Sequence, residues 1–279
     1  MSDAREEMLA RWERAAAGWA KRADRVREHG LPVSIWMIEH ANLQPGQRVL
    51  ELAAGPGDTG FLAAELIEPG GTLMSSDAGD AMLELARGRA DRFGVENVEF
   101  ANLQLEWIDL PAASVDAVLC RWGVMLCADP PAAAKEVRRV LRPGGRFSLA
   151  VWDVPERNPW TTIPARTLIE LGHTPPPDPN APGMFSLSAP GRLEGLLAEA
   201  GFTEIEVDGV QLDRTYEGVD ELLDETHDLS MMFAEVYDAL DDAEHREVAA
   251  KVASLAAPYA HEHGSLLLPG RSLVAAASG

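Results

Sequence analysis

Cysteine, positive charge and long apolar runs are all scarce in this sequence, and each scarcity excludes a class of protein. The 279 residues include two cysteines, Cys120 and Cys127, which form neither a disulfide framework nor a metal-binding motif. No apolar run approaches the roughly 20 residues that a membrane-spanning helix needs. The charged N-terminus lacks the apolar stretch of a signal peptide. We therefore expect a cytoplasmic protein with no membrane insertion and no metal site.

Negative charge, by contrast, is abundant and unevenly placed. The formal net charge is -21, and residues 199–262 contain 18 acidic residues against three basic ones. Affinity for nucleic acid depends largely on basic side chains that neutralise phosphates. We therefore expect no nucleic-acid partner, and we interpret the acidic half as a solvated helical surface that favours solubility.

Short apolar strands alternate with helices in the middle of the chain. The predicted strands are 48–52, 72–76, 97–101, 115–120 and 146–152. This alternation is typical of an α/β protein whose parallel sheet has helices on both faces. Two further strands are predicted at 203–211 and 272–277.

The remaining segments are expected to cover this core. We divide the chain into an N-terminal helical cover (1–44), a cofactor-binding core (45–152), a lid insertion (153–190) and a C-terminal part of the core (191–279) that contains a helical cap (212–262). Within the first segment, Gly30-Leu31-Pro32 is expected to break the helix in two.

The most informative stretch is VLELAAGPGDTG, which runs from Val49 to Gly60. It follows a strand and opens a helix, and Gly55 and Gly57 allow a sharp turn and the close approach of a ligand. The same letters contain the dinucleotide-binding pattern G-x-G-x-x-G, and Asp77 lies 20 residues after Gly57. An NAD(P)-dependent oxidoreductase is therefore one interpretation of this loop.

Two features favour another ligand. Glu51 ends the first strand next to the loop, where an acid suits a positively charged ligand group and repels a pyrophosphate. The second feature is the order of the elements. The turn Arg142–Gly145 precedes the fifth strand, and a helix and then a strand follow that strand. The Tyr-x-x-x-Lys pair that serves hydride transfer in many oxidoreductases does not occur.

These motifs together resemble a known family. The loop ELAAGPG, the acid in Ser75-Ser76-Asp77, the segment AMLELAR from Ala81 and the run VRRVLRPGG from Val137 are similar to the class I S-adenosylmethionine-dependent methyltransferases of the ubiquinone/menaquinone-biosynthesis type (methyltransferase type 11/25-like). The resemblance covers residues 45–152 well and 190–211 less strongly. It implies a Rossmann-like doubly wound fold with a seven-stranded, mostly parallel sheet and one antiparallel strand near the C-terminus.

The resemblance also implies a function. S-adenosylmethionine would be the cofactor and S-adenosylhomocysteine the product, with no metal. The methyl group would pass by in-line displacement to an oxygen or carbon atom of a small-molecule acceptor, in a largely enclosed site. A cofactor-binding protein without catalytic activity is the second alternative, and a homodimer is one expected assembly.

By the same resemblance, site residues can be assigned. Glu51 and the backbone around Ala53, Gly55 and Gly57 would hold the methionine part of the cofactor, and Asp77 would bind both ribose hydroxyls. The remaining expected cofactor contacts are Trp19, Ala78, Met82, Gln104, Leu105, Glu106 and Arg121. Gln104 stands where the family often has an acid, so its amide would meet the adenine amino group.

Acceptor-side residues are less certain from sequence. Trp122 and Trp152 follow the fourth and fifth strands, beyond whose carboxyl ends ligands bind in such sheets, although core packing explains either tryptophan equally well. With Met231 and Tyr237 of the cap, they are the predicted substrate-lining residues. The general base is unknown. His173 and His227 are weak candidates, and His227 lies off the apolar stripe of a helix predicted over 219–240, which favours a surface position.

Overall fold

The fold is an open sheet with helices on both faces. A computed structural model describes residues 2–178 and 181–279. Within them, seven strands form one sheet in the order β3-β2-β1-β4-β5-β7-β6. The strands are β1 (Arg48–Glu51), β2 (Thr72–Asp77), β3 (Val98–Asn102), β4 (Val115–Arg121), β5 (Leu141–Trp152), β6 (Thr203–Tyr216) and β7 (Leu266–Ser278).

Helices connect the strands and pack against the sheet. They are α1 (Ser2–His40), α2 (Asp58–Leu66), α3 (Asp80–Phe93), α4 (Pro130–Val140), α5 (Pro159–Glu170), α6 (Arg192–Glu199), α7 (Val219–Leu229), α8 (Met231–Tyr237) and α9 (Asp242–Ala256). In the part of the chain that the structure describes, none of them is long and apolar enough to cross a bilayer.

Strand directions confirm the predicted fold class. Strands β1 to β5 pair in parallel, whereas β7 is antiparallel to both of its neighbours, β5 and β6. Leu50 and Leu119 on the central strands are fully buried, because helices cover both faces of the sheet. The strand order reverses between β1 and β4, and ligands bind at such a switch point.

Local signals in the sequence explain where α4 begins. The Asp129 side chain caps the helix by accepting a hydrogen bond from Ala132 N, and Pro130 occupies the first helical position. The turn that follows α4 interrupts the residue-by-residue pairing of β4 with β5. Val115 pairs with Leu141 and Ala117 pairs with Arg146, so residues 142–145 loop out.

The expected break in the first helix is wrong. α1 continues from Ser2 to His40 with Pro32 inside it. Proline removes one helical hydrogen bond, to the carbonyl of Glu28. Both residues are exposed, so solvent can satisfy that carbonyl. The fully buried Val33 and Met37 hold the following turns against the core.

The predicted start of the cap and the single helix within it are also wrong. β6 continues to Tyr216, which pairs with Leu266, so residues 212–216 belong to the sheet and the last strand starts before residue 272. Alternate burial of Leu212, Arg214 and Tyr216 maintains the strand pattern. Ser230 then separates α7 from α8, because its side chain caps α8 by accepting from Phe233 N.

The predicted lid over 153–190 contains, among the described residues, a short 3-10 helix (Pro155–Arg157) and α5. Residues 179 and 180 of this segment lie outside the described residues. Apart from the start of the cap, the division of the chain into cover, core, lid and cap stays a prediction.

Candidate functional site

The loop after β1 carries three residues in the left-handed region of backbone space. The φ angles are +49° at Ala53, +52° at Gly55 and +85° at Gly57. The conformation is easy for glycine, but it is uncommon for alanine and occurs at functional sites where the surroundings enforce it. The loop therefore has a backbone path that local preference alone does not explain.

Asp77, at the end of β2, holds this loop in place. Its Oδ2 accepts the N–H of Gly55 at 2.9 Å, and its Oδ1 accepts the N–H of Gly79 at 3.0 Å. Burial raises the pKa of Asp77 above its ordinary value. One carboxylate thus connects the loops that follow β1 and β2.

Glu51 is buried at the end of β1 and faces the first turns of α2. Its Oε1 accepts the N–H of Gly60 at 2.8 Å, and the hydroxyl of Ser75 donates to Oε2 at 3.4 Å. Burial raises the pKa of Glu51 to about 8. A positively charged group brought to this carboxyl would favour its ionised form.

Arg121 joins an ionic network under the loop. Asp58, in the first turn of α2, pairs with Arg89 (Oδ1–Nη2, 2.6 Å) and lies 3.6 Å from Arg121 (Oδ2–Nη2). Arg121 Nη1 also donates to Ser34 Oγ at 3.3 Å. Burial lowers the pKa of Arg121. The predicted cofactor residue Arg121 therefore lies beside the loop, with its guanidinium engaged by protein groups.

A residue that sequence reasoning missed completes this edge. The Glu13 carboxylate of α1 accepts the backbone N–H groups of Asp80 at 2.6 Å and Ala81 at 3.2 Å, next to Asp77. The N-cap of α3 is Gly79, which has no side chain to cap the helix. The glycine at this N-cap was the one sign in the sequence that another residue caps the helix, and it does not indicate which distant residue does so.

Met82 is buried beneath α1 rather than exposed to solvent. It is 2% exposed and packs with Ala15 and Ala16, with Trp19 and Met231 at the border of the same small cluster. The indole Nε1 of Trp19 is buried without a hydrogen-bond partner among the described residues. The structure therefore brings together Trp19 and Met82, both predicted cofactor contacts, and places Met231, a predicted acceptor residue, with them.

The predicted adenine-side residues differ in their surroundings. Gln104 is exposed and Leu105 is partly buried against the core. Glu106 Oε1 accepts the backbone N–H of Ala128 at 2.9 Å, so this carboxylate supports the segment before α4. The carbonyl of Ala78 accepts from Asn102 Nδ2 at 3.2 Å.

Trp122, directly after β4, and Trp152, the last residue of β5, stack on each other. Their ring centroids are 4.3 Å apart at 15°, and Trp122 Nε1 donates to Ser272 Oγ at 2.8 Å. Trp122 has a φ of +60°, a strained conformation for a bulky residue. Both predicted substrate-lining tryptophans therefore lie at the carboxyl edge of the sheet.

Comparison with known proteins agrees with this geometry. A family model described as a methyltransferase domain matches residues 43–167. Residues 43–167 are therefore similar to a methyltransferase domain. The ubiquinone/menaquinone biosynthesis C-methyltransferase UbiE of Teredinibacter turnerae is 30% identical over 122 residues, which cover 43% of this chain and 49% of that protein. The chain spans about half the length of the curated relatives it matches.

Solved structures share the fold of this chain. The YcgJ protein of Bacillus subtilis has a TM-score of 0.59 at 20% identity, covering 88% of this chain and 97% of its own. The [4+2]-cyclase SpnF has a TM-score of 0.53 at 18% identity, covering 88% and 80%. Because one of these proteins is a cyclase, the fold by itself does not determine the reaction.

The contacts of the two histidine candidates are local. His227 Nε2 lies 2.7 Å from Asp238 Oδ1. Tyr237 stacks on Phe233 with their ring centroids 5.1 Å apart. Both contacts join residues of the cap. His173 follows α5, where its backbone N–H donates to Leu168. No group of three or more His, Cys, Asp or Glu among the described residues is placed to hold a metal ion.

Proposed function

We propose that this protein transfers a methyl group from S-adenosylmethionine to a small-molecule acceptor. The observation that carries the proposal is the hydrogen bond from Gly60 N–H to the buried Glu51 carboxyl, 2.8 Å long. It places a carboxyl group, rather than a free N–H group, at the start of α2. A ligand with a positively charged amino group and a sulfonium suits this environment.

The same contact argues against a dinucleotide. A pyrophosphate binds at a helix N-terminus through unpaired N–H groups. Here Gly60 N–H is already paired with Glu51, and Asp58 adds a second buried carboxylate to the first turn of α2. A pyrophosphate in this place would find the Gly60 N–H already occupied and two carboxyl groups beside it.

A buried polar atom without a partner supports the fit of the cofactor. Among the described residues, Trp19 Nε1 is buried without a hydrogen-bond partner, and such an atom is rare unless a ligand or water binds it. We assign Glu51 and the backbone of residues 53–57 to the methionine part of the cofactor, and Asp77 to the ribose. Met82 and Gln104 are assigned to the adenine.

Methyl transfer depends mainly on alignment of the acceptor atom with the methyl group. The cofactor, when bound, supplies a methyl group on a positively charged sulfur. The stiff loop held by Asp77 orients it, and orientation accounts for much of the rate in such displacements. Helix α1, through Glu13 and Ala16, covers the same edge and excludes water. A small-molecule acceptor, a cytoplasmic location and a homodimer stay predictions.

Calorimetric titration with S-adenosylhomocysteine, and separately with NADH, tests the proposal. We expect micromolar binding of the first and no binding of the second. Asp77→Ala should weaken binding on the order of 10- to 100-fold, because it removes the carboxylate that holds the loop. Asp91→Ala, at an exposed position of α3, is the matched control and should bind as the unchanged protein does.

The alternatives give other results. Binding of NADH but not of S-adenosylhomocysteine would return the glycine loop to the dinucleotide class. Binding of S-adenosylhomocysteine, with no methyl transfer from labelled S-adenosylmethionine to any compound in a broad acceptor panel, would favour a cofactor-binding protein without catalytic activity.

A further inference from the structure

The N-terminal part of α1 covers residues that we assigned to the cofactor. Met82 is 2% exposed and packs with Ala15 and Ala16 of α1, and Trp19 borders the same cluster. A ligand cannot contact Met82 while α1 lies on it. This side of the cofactor edge is therefore closed in the structure, and a cofactor can reach Met82 only if α1 moves.

Polar contacts hold this part of α1, residues 10–29, which we call the gate segment. Its ion pairs with the cap helices α7 and α8 are Arg14–Glu235, Lys21–Asp228, Arg22–Asp228, Arg25–Glu221 and Arg25–Glu225. On the other side, Asp24 pairs with Arg89 and Arg92 of α3. The acidic helices of the cap are thus also the surface that binds the basic face of α1.

Apolar packing of the gate segment is weaker than that of the helix beyond it. Trp12 and Trp19 are partly buried, and the fully buried apolar side chains of the gate segment are small ones, namely Ala15, Ala16, Ala23 and Val26. Val33 and Met37, in the last turns of α1, are completely buried. Because the free energy of apolar burial grows with the buried area, the last turns are anchored firmly. The gate segment depends more on ion pairs, which water can replace.

Residues 28–32 provide the place where α1 can bend. Pro32 has no N–H group for the carbonyl of Glu28, so one helical hydrogen bond is missing in this turn. Both residues are exposed. Between them Gly30 is fixed, because a Cβ there would overlap Arg121 Nη1. The helix can therefore bend at this turn while the residues that follow it keep their places.

Asp228, in the last turn of α7, holds the gate segment at a point of close approach between the two helices. Its Oδ2 lies 2.8 Å from Lys21 Nζ and 2.6 Å from Arg22 Nε. A Cβ at Gly18 would lie 1.9 Å from the carbonyl oxygen of Asp228. Two ion pairs and one close backbone contact therefore meet at Asp228, next to Trp19.

We propose that the gate segment opens and closes the cofactor site by bending at residues 28–32, and that Asp228 holds it shut. The inference rests on the proposed function, since it describes how the cofactor of that reaction enters and leaves. Trp19 and Met82 are assigned to the bound cofactor, so the gate is shut again after binding. Asp228 stabilises the shut position equally before and after binding, and it therefore controls the rates of entry and release rather than the affinity.

Stopped-flow tryptophan fluorescence with S-adenosylhomocysteine tests the proposal. Trp12 and Trp19 lie on the gate segment with their ring centroids 6.0 Å apart, so the emission is expected to change when the segment moves. Asp228→Asn removes the charge and keeps the shape of the side chain. It should raise the association and dissociation rate constants together, about three- to tenfold, and keep the Kd within about twofold. A purely structural role of Asp228 would instead weaken binding without faster association.

Pro32→Ala should act in the opposite direction. Alanine supplies the missing N–H group to the carbonyl of Glu28 and favours a straight helix, which resists bending. Both rate constants should fall about three- to tenfold, again with the Kd within about twofold. Asp224→Asn, at an exposed position of α7, is the control and should change neither rate constant. The proposal requires the two opposite shifts; a shift in one site variant alone, or in neither, overturns it.

Hydrogen exchange tests the hinge in the absence of any ligand. Amides of residues 10–29 should exchange faster than those of residues 33–40, because a segment held by solvent-accessible polar contacts opens more easily. Asp228→Asn should accelerate exchange in the gate segment alone. Equal protection along α1, or equal acceleration of both segments, refutes the hinge.

The two hypotheses fail separately. If S-adenosylhomocysteine does not bind but the exchange pattern and its dependence on Asp228 are found, the methyltransferase proposal fails and the hinged segment stands. If S-adenosylhomocysteine binds with the same rate constants in all three variants, the gate fails and the methyltransferase proposal stands.

Discussion

The carboxylate of Glu13 caps the helix that begins at Asp80. Glu13 Oε1 accepts the backbone N–H of Asp80 at 2.6 Å, across 67 residues of sequence, and Oε2 accepts that of Ala81 at 3.2 Å. An acid is favourable at a helix N-terminus because of the unpaired N–H groups there. The contact ties α1 to the loop that contains Asp77.

Glu13→Ala is expected to lower the free energy of unfolding by about 1 kcal/mol, the usual effect of losing a cap. It should also weaken S-adenosylhomocysteine binding about tenfold, because the loop after Asp77 loses its support from α1. Chemical denaturation and calorimetry measure the two effects. Glu39→Ala, at an exposed position of the same helix, is the control. Unchanged affinity in Glu13→Ala would show that closure by α1 is irrelevant to the cofactor.

The raised pKa of Glu51 gives a defined dependence of stability on pH. Its ordinary value is 4.5, and burial raises it to about 8 in the folded protein. Between these values the folded protein keeps a proton that the unfolded chain releases. The free energy of unfolding therefore falls as pH rises through this window, with a slope on the order of 1 kcal/mol per pH unit from this group.

Glu51→Gln should remove that contribution, because glutamine keeps the shape of a neutral carboxyl and does not titrate. Denaturant titrations of both proteins at several pH values between 4.5 and 8 give the difference. Parallel curves for the two proteins would mean that Glu51 titrates normally in the folded state.

Gly60 is predicted to be intolerant of any side chain. A Cβ at Gly60 would overlap the Glu51 carboxylate and come within 3.0 Å of Leu73 Cδ2. Gly60→Ala should therefore destabilise the protein by about 1–3 kcal/mol, as overpacking does, and weaken S-adenosylhomocysteine binding by displacing Glu51. Thermal unfolding and calorimetry measure these effects.

Gly88→Ala provides the matched comparison for Gly60. Gly88 is also within a helix, but nothing lies within 4 Å of its Cβ position. Because alanine favours the helix, this change should stabilise the protein by roughly 0.5–1 kcal/mol. Equal effects of the two substitutions would refute the argument from close packing at Gly60.

The buried pair of Asp58 and Arg89 should dominate the electrostatic stability of this edge. Both side chains are almost fully buried, and Asp58 also neighbours Arg121. Asp58→Asn leaves two buried cations without this anion and should cost about 3–5 kcal/mol. Asp24→Asn removes the exposed partner of Arg89 and should cost less than about 1 kcal/mol. Urea denaturation distinguishes the two, and similar losses would contradict the role given to burial.

Much of the fold was predictable because its signals are local. Alternating strands and helices predicted the parallel core, and Asp129 with Pro130 marks the start of α4. The glycine loop and Asp77 were both assigned to the cofactor by resemblance, and they lie together because the carboxyl ends of neighbouring parallel strands lie at one edge of a sheet. The hydrogen bond between Asp77 and Gly55 joins these two residues; their binding of a cofactor stays a prediction.

Errors arose where long-range packing outweighs local preference. Pro32 breaks isolated helices, yet α1 continues through it because Val33 and Met37 are buried against the core. β6 runs to Tyr216 because β7 continues opposite it to Leu266. A strand's length depends on its partner, and the partner here lies some 50 residues later in the chain.

The sequence by itself determined the class of fold, the glycine loop and the acids at the ends of β1 and β2, because strand period, turn residues and capping preferences act within a few residues. Only the tertiary structure decided that Glu13 caps α3, that Glu51 is buried against Gly60, and that Asp228 pairs with Lys21 and Arg22. Each of these contacts joins separate elements, and the pKa of a carboxyl or imidazole depends on what surrounds it in the folded state. No local pattern in the chain encodes that environment.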